Sequence, residues 1–87
     1  MKIKLEKGIN LVFKKNGTME DCRSYRTSLF DKDEVVLFEG YDNRFSSFKM
    51  CVFMDGEGNN YLCEEDKIDE MFKVLNDWEK YFIIIKG

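Results

Sequence analysis

Apolar and polar positions alternate with a period of two along much of the chain, the pattern of strands that bury one face. In residues 2–6, Ile3 and Leu5 face one way and Lys2, Lys4 and Glu6 the other. Gly8 marks a turn, after which Ile9, Leu11 and Phe13 resume the alternation. Asn16-Gly17 is then a strong hairpin signal, because both residues tolerate the positive φ that a type I′ turn needs at its two central positions. It predicts a first hairpin whose return strand runs from Thr18 toward Tyr25. The polar stretch "MEDCRSY" places that strand at a sheet edge.

In "LFDKDEVVLFEG" a charged turn at 31–34 precedes an apolar, β-branched run at 35–38, read as a buried strand. "YDNRFSSF" reads as a loop or a bulged strand entry. In "FKMCVFM", Phe48, Met50, Val52 and Met54 share one face, and Lys49, Cys51 and Phe53 the other. Apolar groups on both faces fit a central, doubly covered strand, or a homodimer that buries the exposed face. Residues 60–63 pair back across a Gly-rich turn. From Asp66 the period changes: Ile68, Met71, Phe72, Leu75, Trp78 and Phe82 follow i, i+3, i+4, i+7 spacing. This predicts an amphipathic helix over about 66–80, capped by Asp66, with Asp69 and Glu70 in the anion-favouring first turn and Lys80 near its end. "YFIII" then prefers an extended form that closes the sheet. The expected fold is α+β in a single domain, residues 1–87. It is a small antiparallel sheet or partly closed barrel of about five to six strands with one C-terminal helix. The cadence from Asp31 to Ile68 resembles SH3-like small barrels: charged turn, strand, loop, long hairpin, acidic turn.

Composition sharpens this picture. A chain of 87 residues buries roughly 60–65% of the surface that its unfolded form exposes, so its core must be dense in large side chains. Eight Phe, four Tyr, one Trp and five Met supply them and argue against disorder. Residues 1–29 carry seven Lys/Arg against three Asp/Glu, a net +4; residues 30–87 carry seven against fourteen, a net −7. The chain therefore has a basic first third and an acidic remainder, which bears on partners rather than on fold. Three widely spaced cysteines, Cys22, Cys51 and Cys63, form neither a disulfide framework nor a zinc motif. Reduced thiols, no signal-like run and no spanning segment point to a soluble cytoplasmic protein.

The stretch "DGEGNNYLCEED" raises the question of a calcium loop, with Asp55, Glu57 and Asn59 at the first, third and fifth positions. Position six requires Gly and has Asn60; position twelve requires Glu and has the shorter Asp66. A hairpin turn using Gly56 and Gly58 is the better reading, so no metal or cofactor is expected. Catalysis finds little support. The chain has no His, which removes Ser-His and Cys-His nucleophile pairs. Cys63 precedes the helix start, but the three carboxylates that follow it oppose a thiolate.

Two binding readings remain. A nucleic-acid binder wants a basic face with a stacking aromatic. Lys2, Lys4, Lys7, Lys14, Lys15, Arg23 and Arg26 would form one if the first hairpin presents them together, with Tyr25 beside them. The acidic pI of about 5.0 weighs against it. The preferred reading is a non-enzymatic inhibitor or adaptor that binds a partner protein. Tyr41, Arg44 and Phe45 in an irregular loop are hot-spot types. Glu57, Glu64, Glu65, Asp66, Asp69 and Glu70 would attract a basic surface such as a nucleic-acid-binding groove, taking the place of phosphates. In size and composition the chain is similar to compact acidic proteins that bacteriophages encode against host nucleic-acid enzymes, anti-CRISPR proteins among them.

Overall fold

The computed structural model describes residues 3–44 and 47–75 of the chain. These form seven strands: β1 Asn10–Phe13, β2 Gly17–Asp21, β3 Thr27–Phe30, β4 Val35–Asp42, β5 Met50–Met54, β6 Asn60–Glu64 and β7 Phe72–Val74. Between β6 and β7 a 3-10 turn, Glu65–Lys67, runs into one helical turn, α1, Ile68–Met71. Every pairing is antiparallel, and the single sheet has the order β3-β2-β6-β5-β4-β1-β7. β3 and β7 are its edges, so the ladder is open rather than closed into a barrel.

Period-two alternation sets which face each strand buries. Leu11 lies opposite Val36, and Phe53 lies between Phe38 and Tyr61. These side chains share the concave face with Cys51, Cys63 and Ile68. Burial of each Phe or Leu contributes about 1.5–3 kcal/mol. Aromatic rings run through this core as a continuous row. Phe30 stacks on Phe13, Phe13 meets Phe72, Phe72 stacks on Phe53, Phe53 meets Phe38, and Phe38 packs edge-on against Tyr41. The row links edge strand β3 to the far end of β4.

The structure corrects four expectations. Residues 3–6 belong to no strand, although Ile3 and Leu5 do pack on the core; there the alternation records burial without pairing. β1 and β2 do not form a hairpin: β1 pairs with β4 and β7, and β2 with β3 and β6. Neither Asn16 nor Gly17 has positive φ. Gly17 serves close packing instead, since a Cβ there would lie 3.2 Å from the Phe13 ring. Among the described residues the sheet has seven strands rather than five to six, because residues 27–30 and 72–74 add edges. The long helix is absent over 72–75. Ile68 and Met71 turn inward from the short helical segment, but Phe72 goes into β7 opposite Phe13, so tertiary pairing overrides the 3.6-residue period. The expected helix beyond Leu75 and the "YFIII" strand lie outside the described residues.

The charged turn at 31–34, the buried strand that follows it and the β5–β6 hairpin are as expected. β5 lies at the centre of the sheet, between β6 and β4. Gly58 has φ +85 in the β5–β6 turn, whereas Gly56 does not need a positive φ. No helix among the described residues is long and apolar enough to cross a membrane.

Candidate functional site

The segment "EEDKIDE" that leaves β6 concentrates charge because it is too short to bury more than one side. Ile68 is buried and Met71 half-buried against the core. Asp66 and Glu70 are therefore exposed, and Glu64, Glu65 and Asp69 are half-exposed. Five carboxylates and one lysine leave this segment a net −4. Glu57 does not join them: it sits in the β5–β6 turn, at the opposite end of β6, a strand of ~13 Å at about 3.3 Å per residue.

The carboxylates differ in their local partners. Glu70 meets Lys15 at 3.3 Å and Glu64 meets Lys67 at 3.9 Å; Glu70 and both lysines are well exposed and Glu64 is half-exposed. Such pairs contribute little and exchange readily. Asp69 has a structural task, accepting the Ile3 backbone N–H. Glu65 accepts a hydrogen bond of 2.6 Å from the Tyr41 hydroxyl.

Tyr41 reaches Glu65 because of a β-bulge. The β4–β5 register shifts between Phe38 and Gly40, and Gly40 has φ +143. The extra residue moves Tyr41 onto the face of its partner Cys51. Lys49 lies over the Tyr41 ring, 5.5 Å from its centroid. The hydrogen bond to Glu65, aided by desolvation, pushes the Tyr41 hydroxyl up to about 12. Beside it a shallow groove of about 320 Å³ is floored by Ile3, Leu5 and Ile68 and rimmed by Tyr41, Glu65, Asp69 and Lys4. Three residues singled out in the sequence, Tyr41, Glu65 and Asp69, thus share one groove. Its apolar floor and Lys49 were missed. The period-two rule places Lys49 on the Tyr41 side once the β4–β5 register is known.

Arg44 stands elsewhere. Its guanidinium holds the Asp42 carboxylate through Nε and Nη2 and keeps that carboxyl below its ordinary range. Arg44 also lies over the Tyr25 ring, 6.0 Å from its centroid, and near the Cys22 thiol. It thereby ties the β4–β5 connection to the β2–β3 turn. Phe45 lies outside the described residues.

The basic residues are not gathered, because the hairpin expected to present them is not formed. Lys14 and Lys15 lie in the β1–β2 connection beside α1, where the Lys14 N–H donates to the Met71 carbonyl. Arg23 and Arg26 lie in the β2–β3 turn, the whole of β2 away. Lys4 pairs with Glu6, Lys7 lies in the turn at Gly8, and Lys2 is outside the described residues. Cys63 is buried opposite Cys51, and burial pushes both thiols up to about 12. Asp55 spends its carboxylate on its own turn, accepting the Glu57 and Asn59 N–H groups and the Tyr61 hydroxyl.

No family model matches the chain, and neither does any curated protein or solved structure.

Proposed function

We propose that the protein is a non-enzymatic protein-binding module, a small inhibitor or adaptor, that covers a basic surface of a partner such as a nucleic-acid-binding groove. The observation that carries this reading is the juxtaposition of Tyr41, Glu65 and Asp69 around an apolar-floored groove, next to the exposed carboxylates Asp66 and Glu70. Tyr41 supplies the apolar anchor, and the carboxylates supply the field that draws in Lys and Arg. The Glu70–Lys15 and Glu64–Lys67 pairs beside the groove are solvent-accessible and easily exchanged for a partner's cations. Arg44 acts as an internal tie rather than as an anchor, and Glu57 belongs to a different end of the sheet. The best nucleophile candidate, Cys63, is buried with a raised pKa, which favours a binding role over catalysis.

We read the curled sheet, held by the Phe13–Phe30 stack, as a partly closed barrel of the SH3-like kind. The free cysteines fit work in the cytoplasm. Its small size and acidic composition support reading it as a phage-encoded, anti-CRISPR-like blocker.

The test is photo-crosslinking in cells of origin, from a photoreactive residue at Asp66 and, separately, at Glu57. Protein adducts from position 66 that fade with added salt and are absent from position 57 are expected. Nucleic-acid adducts, or none at position 66, would overturn the reading. A salt titration with labelled single- and double-stranded oligonucleotides separates the alternative: a steep negative slope there marks a nucleic-acid binder.

A further inference from the structure

The hydrogen-bond directions along β2 determine what its neighbour β3 offers to the outside. In an antiparallel pair, facing residues alternately exchange both backbone bonds and none. The Asp21 N–H donates to the Arg26 carbonyl, so with the β2–β3 register it is Gly17, Met19 and Asp21 that bond to β3. The Cys22 N–H donates to the Asn60 carbonyl, so the even residues of β2 bond to β6. Both neighbours give the same assignment. On β3, Arg26, Ser28 and Phe30 therefore turn their backbone groups inward. Thr27 and Leu29 direct theirs to the free edge, two N–H and two C=O groups in all. Beyond them, the Asp31 N–H is already taken by the Glu34 carboxylate.

Apart from being short, this edge carries no protection of the usual kind. It has no Pro, no bulge and no charge within "TSLF". Leu29 stands 84% exposed on the convex side, the most exposed large apolar residue described. The other edge, β7, carries Lys73 at its centre.

We propose that two copies of the chain join antiparallel through β3, with Ser28 on the two-fold axis. In this register Thr27 of each copy faces Leu29 of the other, and all four free backbone groups are satisfied. The two Leu29 side chains come to lie diagonally across the junction, within mutual reach. Charge fits as well. The β2–β3 turn of one copy, with Arg23 and Arg26, comes beside the β3–β4 turn of the other, with Asp31, Asp33 and Glu34. Sliding by one residue on each copy sets Leu29 against Leu29. It yields only two bonds from these groups, faces Thr27 with the occupied Asp31, and places Arg26 opposite Lys32. A two-fold pairing that keeps both convex faces on the same side excludes the odd register between them. The proposed ladder is short, so association is weak and concentration-dependent.

The geometry provides a direct test. Ser28 facing Ser28 is a pair without mutual bonds, with a Cα separation of about 4.5 Å, inside the roughly 4.4–6.8 Å range that a disulfide spans. In a Cys22→Ser background, Ser28→Cys should form a disulfide-linked dimer with oxidised glutathione as the electron acceptor. It should do so several-fold faster than Ser47→Cys, an exposed control in the β4–β5 connection, outside the ladder. Adding Leu29→Lys, which sets two ammonium groups across the junction, should abolish the advantage while circular dichroism shows an unchanged fold. Sedimentation of the unmodified chain should show a monomer–dimer equilibrium that Leu29→Lys shifts to monomer. Equal crosslinking at positions 28 and 47, or a dimer indifferent to Leu29→Lys, would overturn the proposal.

Discussion

Phe13 on β1 and Phe30 on β3 stack face to face, with centroids 4.9 Å apart and planes at 11°, although four strands separate them in the sheet order. Only strong curling brings them together, and their contact holds the curl. Replacing either by Ala should cost about 3–5 kcal/mol. The double variant should be less damaging than the sum of the two by about 0.5–1.5 kcal/mol, the usual coupling of an aromatic pair. Urea unfolding of the four proteins measures this. Strict additivity would show that the two rings act independently.

Gly17 supports the same contact from beneath. A Cβ there meets Phe13 at 3.2 Å and the Met71 methyl at 3.3 Å. Met71 can yield, but Phe13 is held between Phe30 and Phe72. Gly17→Ala should therefore destabilise by about 1–3 kcal/mol through overpacking. Gly56→Ala meets open space at ordinary φ and should be neutral or stabilising by up to about 1 kcal/mol. Denaturation midpoints of the two variants that move together would refute the distinction.

Gly17 also shows where the sequence misleads. Asn16-Gly17 carries the composition of a tight hairpin, yet the glycine is there to admit an aromatic ring, a demand set by a residue folded against it. Local periodicity made β4, β5 and β6 legible, because each buries alternate side chains against neighbours close in sequence. β7 was hidden: Ile68, Met71, Phe72 and Leu75 satisfy helical spacing, and only pairing with β1 sends Phe72 into a strand. The groove was half visible. Its acids and Tyr41 stand out by type, whereas Ile3 and Leu5 reach it through a non-strand segment that alternation alone mistook for a strand. The scattering of the basic residues could not be foreseen, since it follows from a long-range choice of strand partner.

The Tyr41–Glu65 hydrogen bond predicts a stability change at high pH. The folded-state value for Tyr41 is raised to about 12, above the ordinary 10 of the unfolded chain. The hydroxyl's contribution is thus fully present below pH 10 and is lost as pH rises from 10 through about 12. Tyr41→Phe should remove this sloping region and leave a smaller, flatter stability in that window. Titration of tyrosinate absorbance, wild type minus variant, reads the value directly. A Tyr41 that ionises near 10 would mean the bond to Glu65 does not form in solution.

The Asp55 turn gives an acid-side counterpart. Burial alone would raise this carboxyl, but the Asn59 and Glu57 N–H groups and the Asn59 and Tyr61 side chains outweigh it and hold the value below the ordinary range. With the folded value depressed, its stabilisation is present above the unfolded pKa, near 4, and is lost as pH falls through the folded one. Asp55→Asn keeps the shape of the acceptor but loses its charge, so it should flatten the acid limb of the stability curve. Asp55→Ala should cost about 1 kcal/mol at neutral pH, because most of the donors it abandons are exposed and turn to water.

Thiol chemistry separates the three cysteines by position. Cys51 and Cys63 face each other across β5 and β6 inside the core, and burial raises both to about 12. Cys22 is only partly buried at the end of β2, so a reagent can reach it. At pH 8 a disulfide reagent should therefore label one thiol per folded chain, and Cys22→Ser should abolish that fast phase. All three should react once the chain is unfolded in denaturant. Fast labelling that survives Cys22→Ser would place Cys51 or Cys63 at the surface, and the aromatic core that encloses them would have to be redrawn.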